Sequence, residues 1–471
     1  MKKLFIGGEW LEGSVYYDLA SPYSGERIAE IPLASKEEVL NALSFAEKGA
    51  KIIRKMSSLE RSEILEKVSQ LFQERLEECA LTLAKENAKP IKLARAEIKR
   101  TIETYKFAAE EAKRIHGETI PMDAALNGRG RFGFTIREPL GVIAAITPFN
   151  FPFNLVAHKL GPAIAAGNSV VLKPANQTPL SALITAEIFE EAGLPAGVLN
   201  VVTGRGSVIG DILVKDPRVK MVTFTGSLEV GLGIKEKAGL KKVTLELGSN
   251  SAVIVDSTDD LDSVVARCVE GSFSFAGQVC ISVQRIYVQQ SLYKEFIQKF
   301  VENAEKLVLG DPCSESTDMS SLIHLSEAER IEKWLKEAEQ AGVEIVSGGT
   351  RQGSLLVPTV IAGDSSKLAL SCQEAFAPIV CITPYETWDQ AIDLANDSMY
   401  GLQAGVYTTS IQKAFDALNR LEVGGVIIND IPSFRVDHMP YGGVKNSGTG
   451  REGVRYSVEE MTELKFASFK L

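Results

Sequence analysis

From residue 139 onward, apolar runs of strand length alternate with helical stretches, and this alternation constrains the fold more than any other feature of the chain. Val142–Ile146, Ser169–Lys173, Val198–Val202, Met221–Phe224 and Lys242–Glu246 read as strands, separated by helical stretches that include Pro179–Ala192 and Ser207–Val214. Strands that alternate with helices predict a parallel sheet covered by helices on both faces. Beyond Gly248 the pattern restarts with Ala252–Val255, a helix from Leu261, Arg285–Gln289 and a helix from Ser291, then continues through Pro378–Thr383 and Gly425–Asn429. The fold class is therefore α/β, with a Rossmann-like domain followed by a second α/β domain.

The segment before residue 139 reads differently. Residues 1–30 hold short strands and turns, with a turn cluster at Ser21–Gly25. Ser35-Lys36-Glu37-Glu38 is a capping box that should start a helix running to about Met56. Ile64, Leu65, Val68, Leu71, Phe72 and Leu76 recur at helical spacing in one predicted helix that Asn87–Pro90 ends. A third helix should run from Pro90 to Ile115. Asn127-Gly128 and the alternation in Arg131–Arg137 predict a two-stranded excursion over 117–138, and the tail Glu463–Leu471 has strand character.

A chain of 471 residues is long enough for two or three domains. Its net charge of −10 gives no basic footprint for nucleic acid, so no nucleic-acid partner is expected. The start, Met1–Ile6, holds no apolar run like that of a signal peptide, and Val142–Ile146 and Val170–Leu172 are far too short to span a bilayer. A cytoplasmic enzyme without membrane association is the expectation. The six cysteines include no C-x-x-C pair and the four histidines no ligand spacing, so neither disulfides nor a metal are expected.

Three residues stand where chemistry is possible. Cys280 lies in Phe275-Ala276-Gly277-Gln278-Val279-Cys280, on a predicted bend between a helix end and strand Arg285–Gln289. A thiol so mounted can act as a nucleophile, although a lone cysteine is more commonly an inert buried thiol. Glu246 closes strand Lys242–Glu246, where the doubly wound pattern lines its ligand crevice, and partial burial would make it a general base. Asn150, in Thr147–Pro152 just past Val142–Ile146, can donate an amide N–H to an oxyanion, or simply occupy a turn beside prolines. Gly226 and Ser227 join a strand to a helix start that offers donors to a phosphate, and Lys173 ends a strand within reach of a ribose or 2′-phosphate.

Together these stretches resemble the aldehyde dehydrogenase superfamily, over about residues 5–465. The resemblance is carried by Thr147–Pro152, Gly167–Pro174, Phe224–Gly231, Leu245–Gly248, Gly277–Cys280, Glu374–Pro378, Tyr400–Leu402 and Pro440–Gly450, all in the family's order. It implies Cys280 as nucleophile, Glu246 as the base that hydrolyses a thioester, and Asn150 with the Cys280 N–H as oxyanion hole. NAD or NADP would be held by Lys173 and Glu374 at the riboses and by Gly226, Ser227 and the following helix at the pyrophosphate. Phe376, Thr147, Pro148 and Phe149 would lie beside it. Glu246 favours hydrolysis over transfer to CoA. The family's organisation implies a cofactor domain from 1–116 and 139–247 and a catalytic domain from 248–455. Residues 117–138 and 456–471 would form a small oligomerisation sheet, making a homodimer or homotetramer.

Asn176 stands where NAD-preferring relatives carry a glutamate that repels a 2′-phosphate, so NADP is expected to serve, alone or beside NAD. Pro432–Met439 resembles a subgroup acting on lactaldehyde and its relatives. Arg435, helped by Arg100 and beside Phe151, would meet an anionic or polar substrate, unless Arg435 and Asp437 merely pair with each other. Val279 stands where phosphate-substrate members often carry arginine, which favours a short polar aldehyde over a phosphorylated one. A semialdehyde or sulfo-aldehyde is the alternative, and a catalytically idle relative is the alternative of another class.

Overall fold

The computed structural model describes residues 1–471. Its first sheet has eight strands in the order Glu9–Leu11, Leu4–Ile6, Leu199–Val201, Ser169–Lys173, Val142–Ile146, Val219–Thr225, Lys242–Glu246, Gly448–Thr449. The five from Leu199–Val201 to Lys242–Glu246 are parallel, and antiparallel strands close both edges. The five apolar runs predicted between residues 142 and 246 are these parallel strands. The last edge strand comes from far along the chain: Leu245 and Glu246 pair with Thr449 and Gly448. That pairing brings the Pro440–Gly450 segment to the carboxyl end of the strand bearing Glu246.

The second sheet runs Glu344–Ser347, Thr359–Ala362, Ile379–Tyr385, Arg285–Gln289, Ala252–Val255, Gln403–Tyr407, Gly425–Ile428. All but the first of these are parallel. Each sheet has its own buried core, built on Ile143, Val170 and Leu172 in one and on Val253, Ile286 and Val380 in the other. A third, small sheet pairs Thr462–Lys470 with Arg131–Pro139 along its whole length, and Arg131–Pro139 with Thr119–Ile120. Leu464, Phe466, Phe469, Phe132 and Ile136 lie exposed on it.

The capping box is as predicted: Ser35 Oγ accepts from Glu38 N while Glu38 accepts from Ser35 N, and the helix runs Lys36–Ile53. The second predicted helix is in fact two, Ser58–Glu74 and Leu76–Asn87. Arg75 leaves helical geometry at φ −98°, ψ 18°, held by its guanidinium on Glu78 and Glu187. The second piece ends on Ala88 in the left-handed region, just before Pro90. Helix Asn154–Ala165 has no periodic signal because every one of its 12 residues is buried, between helix Ile91–Ala112 and the first sheet. No helix is long and apolar enough to cross a membrane, and no cluster of three or more metal-ligating side chains occurs.

Candidate active site

Two cavities meet at Cys280. One, of about 810 Å³, runs along the carboxyl ends of the first sheet's strands; the other, of about 300 Å³, enters from the opposite side. Cys280 lines both, and so lies partly exposed between them.

The mount of Cys280 is unusual. Helix Leu261–Phe273 is followed by Phe275, Ala276 and Gly277 at φ 50°, 54° and 69°, three successive residues in the left-handed region. For the two residues with side chains this costs about 1–2 kcal/mol each. It reverses the chain and carries it into the turn at Gln278–Cys280. A side chain at Gly277 would collide with the Ala377 carbonyl, so the bend requires glycine there. The Cys280 Sγ has one hydrogen-bond partner, Tyr441 Oη, at 2.9 Å. Burial pushes its thiol up to about 11, although Tyr441 and the cation of Arg435 pull the other way.

Asn150 lines the larger cavity and donates from Nδ2 to the Gln278 carbonyl at 2.9 Å. Its own carbonyl accepts from Lys89 Nζ at 2.6 Å, and Lys89 forms a buried ion pair with Glu97. Glu97 also accepts from the Phe153 and Asn154 N–H groups, so the loop carrying Asn150 is anchored on helix Ile91–Ala112.

Glu246 is 3 % exposed and neither carboxylate oxygen has a hydrogen-bond partner. It lies behind the wall formed by Leu247 and Gly248 rather than on it. Burial first, then the negative charge of Glu452, raises its pKa well above the ordinary carboxylate range. Glu452 behaves in the opposite way. Burial would raise it, but Lys159, His158 and Arg435 outweigh that and lower it. Glu452 accepts from Lys159 Nζ at 3.0 Å and from Arg435 Nη2 at 3.2 Å.

The larger cavity fits a dinucleotide. Ser227 and Gly226 lie on its wall at the start of helix Leu228–Lys237, whose N-terminus has no side-chain cap and so presents free N–H groups. Lys173 is buried with only the Pro174 carbonyl as partner, and burial lowers it to about 8. Glu374 is half-buried on the cavity wall, raised to about 7 by desolvation, and accepts from Ser249 N at 3.0 Å. A Cβ on Gly248 would collide with its carboxylate. Thr147, Pro148, Phe149 and Phe376 complete the wall, the two phenylalanine rings edge-on at 5.8 Å. Phe376 holds a strained φ of 51°. Asn176 departs from the expectation: Ala175 and Gln177 line the cavity and Asn176 does not, its backbone carbonyl accepting from the Tyr17 hydroxyl. Ser207, Asp211 and Arg330 line it too and carried no sequence signal.

Arg100, Phe151 and Arg435 lie together on the smaller cavity, as expected. The alternative ion pair does not form. Arg435 and Asp437 do not pair: Asp437 takes Arg100 bidentately at 2.6 and 3.0 Å, with Asn154 and His158, while Arg435 pairs with Glu452. The Arg435 guanidinium lies flat over Tyr441, 3.7 Å from the ring centre, and its buried Nε has no partner. The sequence reading missed Tyr441, His158, Lys159 and Glu452. The available signal was a histidine and a lysine inside the otherwise apolar run Leu155–Ala165, and a tyrosine within a stretch already singled out.

The sequence profile of the Aldehyde dehydrogenase family matches residues 10–467. The chain belongs to the aldehyde dehydrogenase family. As such it is an NAD(P)-dependent oxidoreductase acting on aldehydes, and solved family structures of the same fold hold NADP or NAD⁺. The chain is 49 % identical over 460 residues to a 3-sulfolactaldehyde dehydrogenase of Priestia aryabhattai, covering 98 % of this chain and 96 % of that one. It is 43 % identical over 466 residues to a lactaldehyde dehydrogenase of Methanococcus maripaludis, covering 98 % of each. The crystal structure of aldehyde dehydrogenase 21 from Physcomitrella patens, in complex with the reaction product succinate, superposes with a TM-score of 0.98. It is 41 % identical, with 100 % of this chain and 98 % of that one covered.

Proposed function

We propose that this dehydrogenase oxidises a short aldehyde carrying a polar or anionic group at its far end, through a thioester on Cys280 that water hydrolyses. The observation that carries the substrate reading is one unpartnered donor on the smaller cavity. Lys89, Arg100, Arg267 and Arg435 line it and each is paired with a carboxylate, but the buried Nε of Arg435 lacks an acceptor. A carboxylate or sulfonate on a two- or three-carbon aldehyde would supply that acceptor with the carbonyl near Cys280. A sulfolactaldehyde dehydrogenase and a succinate complex among the relatives support an anionic ligand, and a lactaldehyde dehydrogenase supports a short polar one.

In this reading the Cys280 thiolate adds to the aldehyde carbon, and the oxyanion is met by Asn150 Nδ2 and the Cys280 N–H. The nicotinamide cofactor, when bound, supplies the hydride acceptor. Lys173 and Glu374 hold its riboses, Ser227 and Gly226 its pyrophosphate, and Phe149 and Phe376 fix the reactive end. Glu246 then takes a proton from the water that attacks the thioester. With no hydrogen-bond partner and a raised pKa, its carboxylate is a stronger base than a solvated one whenever it is ionised. NADP is expected to serve, since the segment Ala175–Gln177 after Lys173, which lines the cavity through Ala175 and Gln177, carries no carboxylate.

The wider assignments follow the same lines. The exposed apolar side chains of strands Arg131–Pro139 and Thr462–Lys470 suit a surface that self-associates, which supports a homodimer or homotetramer. Residues 1–116 and 139–247 would serve the cofactor and 248–455 the chemistry, with 117–138 and 456–471 for assembly. Six free thiols fit a reducing, cytoplasmic setting.

The test is a panel of sulfolactaldehyde, succinate semialdehyde, lactaldehyde and propanal with NAD or NADP, followed at the reduced-nicotinamide absorbance. Anionic aldehydes should exceed propanal in kcat/KM at least about tenfold, the size of one charge-assisted hydrogen bond. Equal values for propanal would remove the anion reading, and no turnover with any aldehyde would favour an idle relative.

A further inference from the structure

Tyr441 belongs to none of the roles assigned so far, yet it is the only side chain bonded to the reacting sulfur. It is 3 % exposed, and its hydroxyl has a single partner, Cys280 Sγ at 2.9 Å. It reaches the sulfur from the substrate cavity, whose wall it shares with Arg435, and takes no part in the wall of the larger one. Two features fix the ring. Its backbone pairs with Glu452 in both directions, Tyr441 N to Glu452 O at 3.0 Å and Glu452 N to Tyr441 O at 2.6 Å. Arg435 covers the ring face, with the guanidinium carbon 3.7 Å from its centre.

We propose that Tyr441 is a catalytic residue of this enzyme: its hydroxyl donates to the Cys280 sulfur, holds it at the end of the substrate cavity, and stabilises the thiolate before attack. The proposal rests on Cys280 being the nucleophile.

The site otherwise opposes a thiolate. Burial disfavours the charge, and Glu374 and Glu246 add negative potential whenever they ionise; only Tyr441 and Arg435 favour it. Tyr441 is itself the poorer acid, because burial and the neighbouring sulfur hold its hydroxyl well above its ordinary range. When the S–H bond breaks, the proton goes to water, the electron pair stays on Sγ, and Tyr441 keeps its own proton and donates it. The cation over the ring draws electron density from the phenol and makes that O–H a stronger donor. As the S–C bond forms, the carbonyl pair moves to oxygen, the sulfur loses its charge and the Tyr441 bond weakens. The hydrogen bond thus stabilises the thiolate more than the adduct. Nucleophile availability rises and its intrinsic reactivity falls, in the proportion expected of a lowered thiol pKa.

The test is the rate of iodoacetamide alkylation of Cys280 against pH, read by mass and by loss of activity, in the wild-type enzyme and in Tyr441→Phe. The variant's midpoint should move up by about one pH unit. With a Brønsted coefficient of about 0.4–0.5, its rate should be about threefold lower below the midpoint and about threefold higher on the plateau. The two curves therefore cross, which loss of packing alone does not produce. Superposed curves would overturn the proposal while leaving the thioester mechanism in place. Wild-type alkylation at Cys280 without loss of activity would instead overturn the mechanism, and the proposal with it. Should Tyr441→Phe not fold, Tyr441→Leu and Tyr441→His give the same comparison: a shift in the first, partly reversed in the second, supports the role, and no shift in either contradicts it.

Discussion

Glu452 holds two cations at once, Lys159 Nζ on one carboxylate oxygen at 3.0 Å and Arg435 Nη2 on the other at 3.2 Å. All three side chains are buried, at 2, 1 and 6 % exposure. Removing the shared anion leaves two cations in low dielectric. Glu452→Gln should therefore cost about 3–5 kcal/mol, the usual penalty for breaking a buried pair from one side. A urea titration checks it, and a midpoint within error of the wild type would mean that water already screens the group.

The same carboxyl predicts an acid-sensitive stability. Its pKa in the folded protein is depressed to about 2. Its contribution is therefore complete above the unfolded carboxylate value and is lost as pH falls from there toward about 2. Melting temperatures of wild type and Glu452→Gln should differ most near neutral pH and converge as pH drops through that window.

Glu246 carries the opposite sign. Its folded pKa is raised, so ionisation is disfavoured in the native state and becomes a growing cost as pH rises above the unfolded value toward the folded one. Glu246→Gln should melt higher than wild type at pH 8 and no differently near pH 4. The same variant should give a burst of reduced cofactor and then turn over slowly. Lost stability at pH 8 would show that the carboxylate has a partner after all.

Arg435 decides anion preference in this account. Arg435→Met should lower the ratio of kcat/KM for an anionic aldehyde to that for propanal by about 10–100-fold, the value of one or two charge-assisted bonds. An unchanged ratio would place substrate recognition elsewhere. Glu452 loses a partner in this variant, so some instability is expected alongside.

Gly248 faces the Glu374 carboxylate so closely that a Cβ fits only if that carboxylate moves. Gly248→Ala should displace that carboxylate and raise the cofactor KM at least about tenfold, with little change in melting temperature. Cofactor titration by fluorescence quenching measures it directly.

Much of this architecture was legible in the sequence. Strands such as Val142–Ile146 and Ser169–Lys173 are buried on both faces and so appear as uninterrupted apolar runs. Helix Asn154–Ala165 was not legible for the same physical reason, since burial all round removes the period that marks a helix. The break at Arg75 was hidden because one of the two carboxylates on its guanidinium, Glu187, comes from far along the chain. The site divides likewise. Cys280, Glu246 and Asn150 stand in local motifs at bends and strand ends. Tyr441, Glu452, Lys159 and His158 form a network only after residues 441–452 have crossed back to the first sheet. Arg435 lies on the smaller cavity with Arg100 and Phe151, and the alternative pairing with Asp437 does not form because Asp437, two residues away, turns to Arg100.

The central claim is a covalent acyl group on Cys280, and acid-quenched intact-mass spectrometry of Glu246→Gln tests it most directly. Mixed with an aldehyde substrate and NADP, this variant should gain the mass of one acyl group, mapped to Cys280 and matched by one equivalent of reduced cofactor. Reduced cofactor formed with no mass gain, or an adduct on any other residue, would contradict the account.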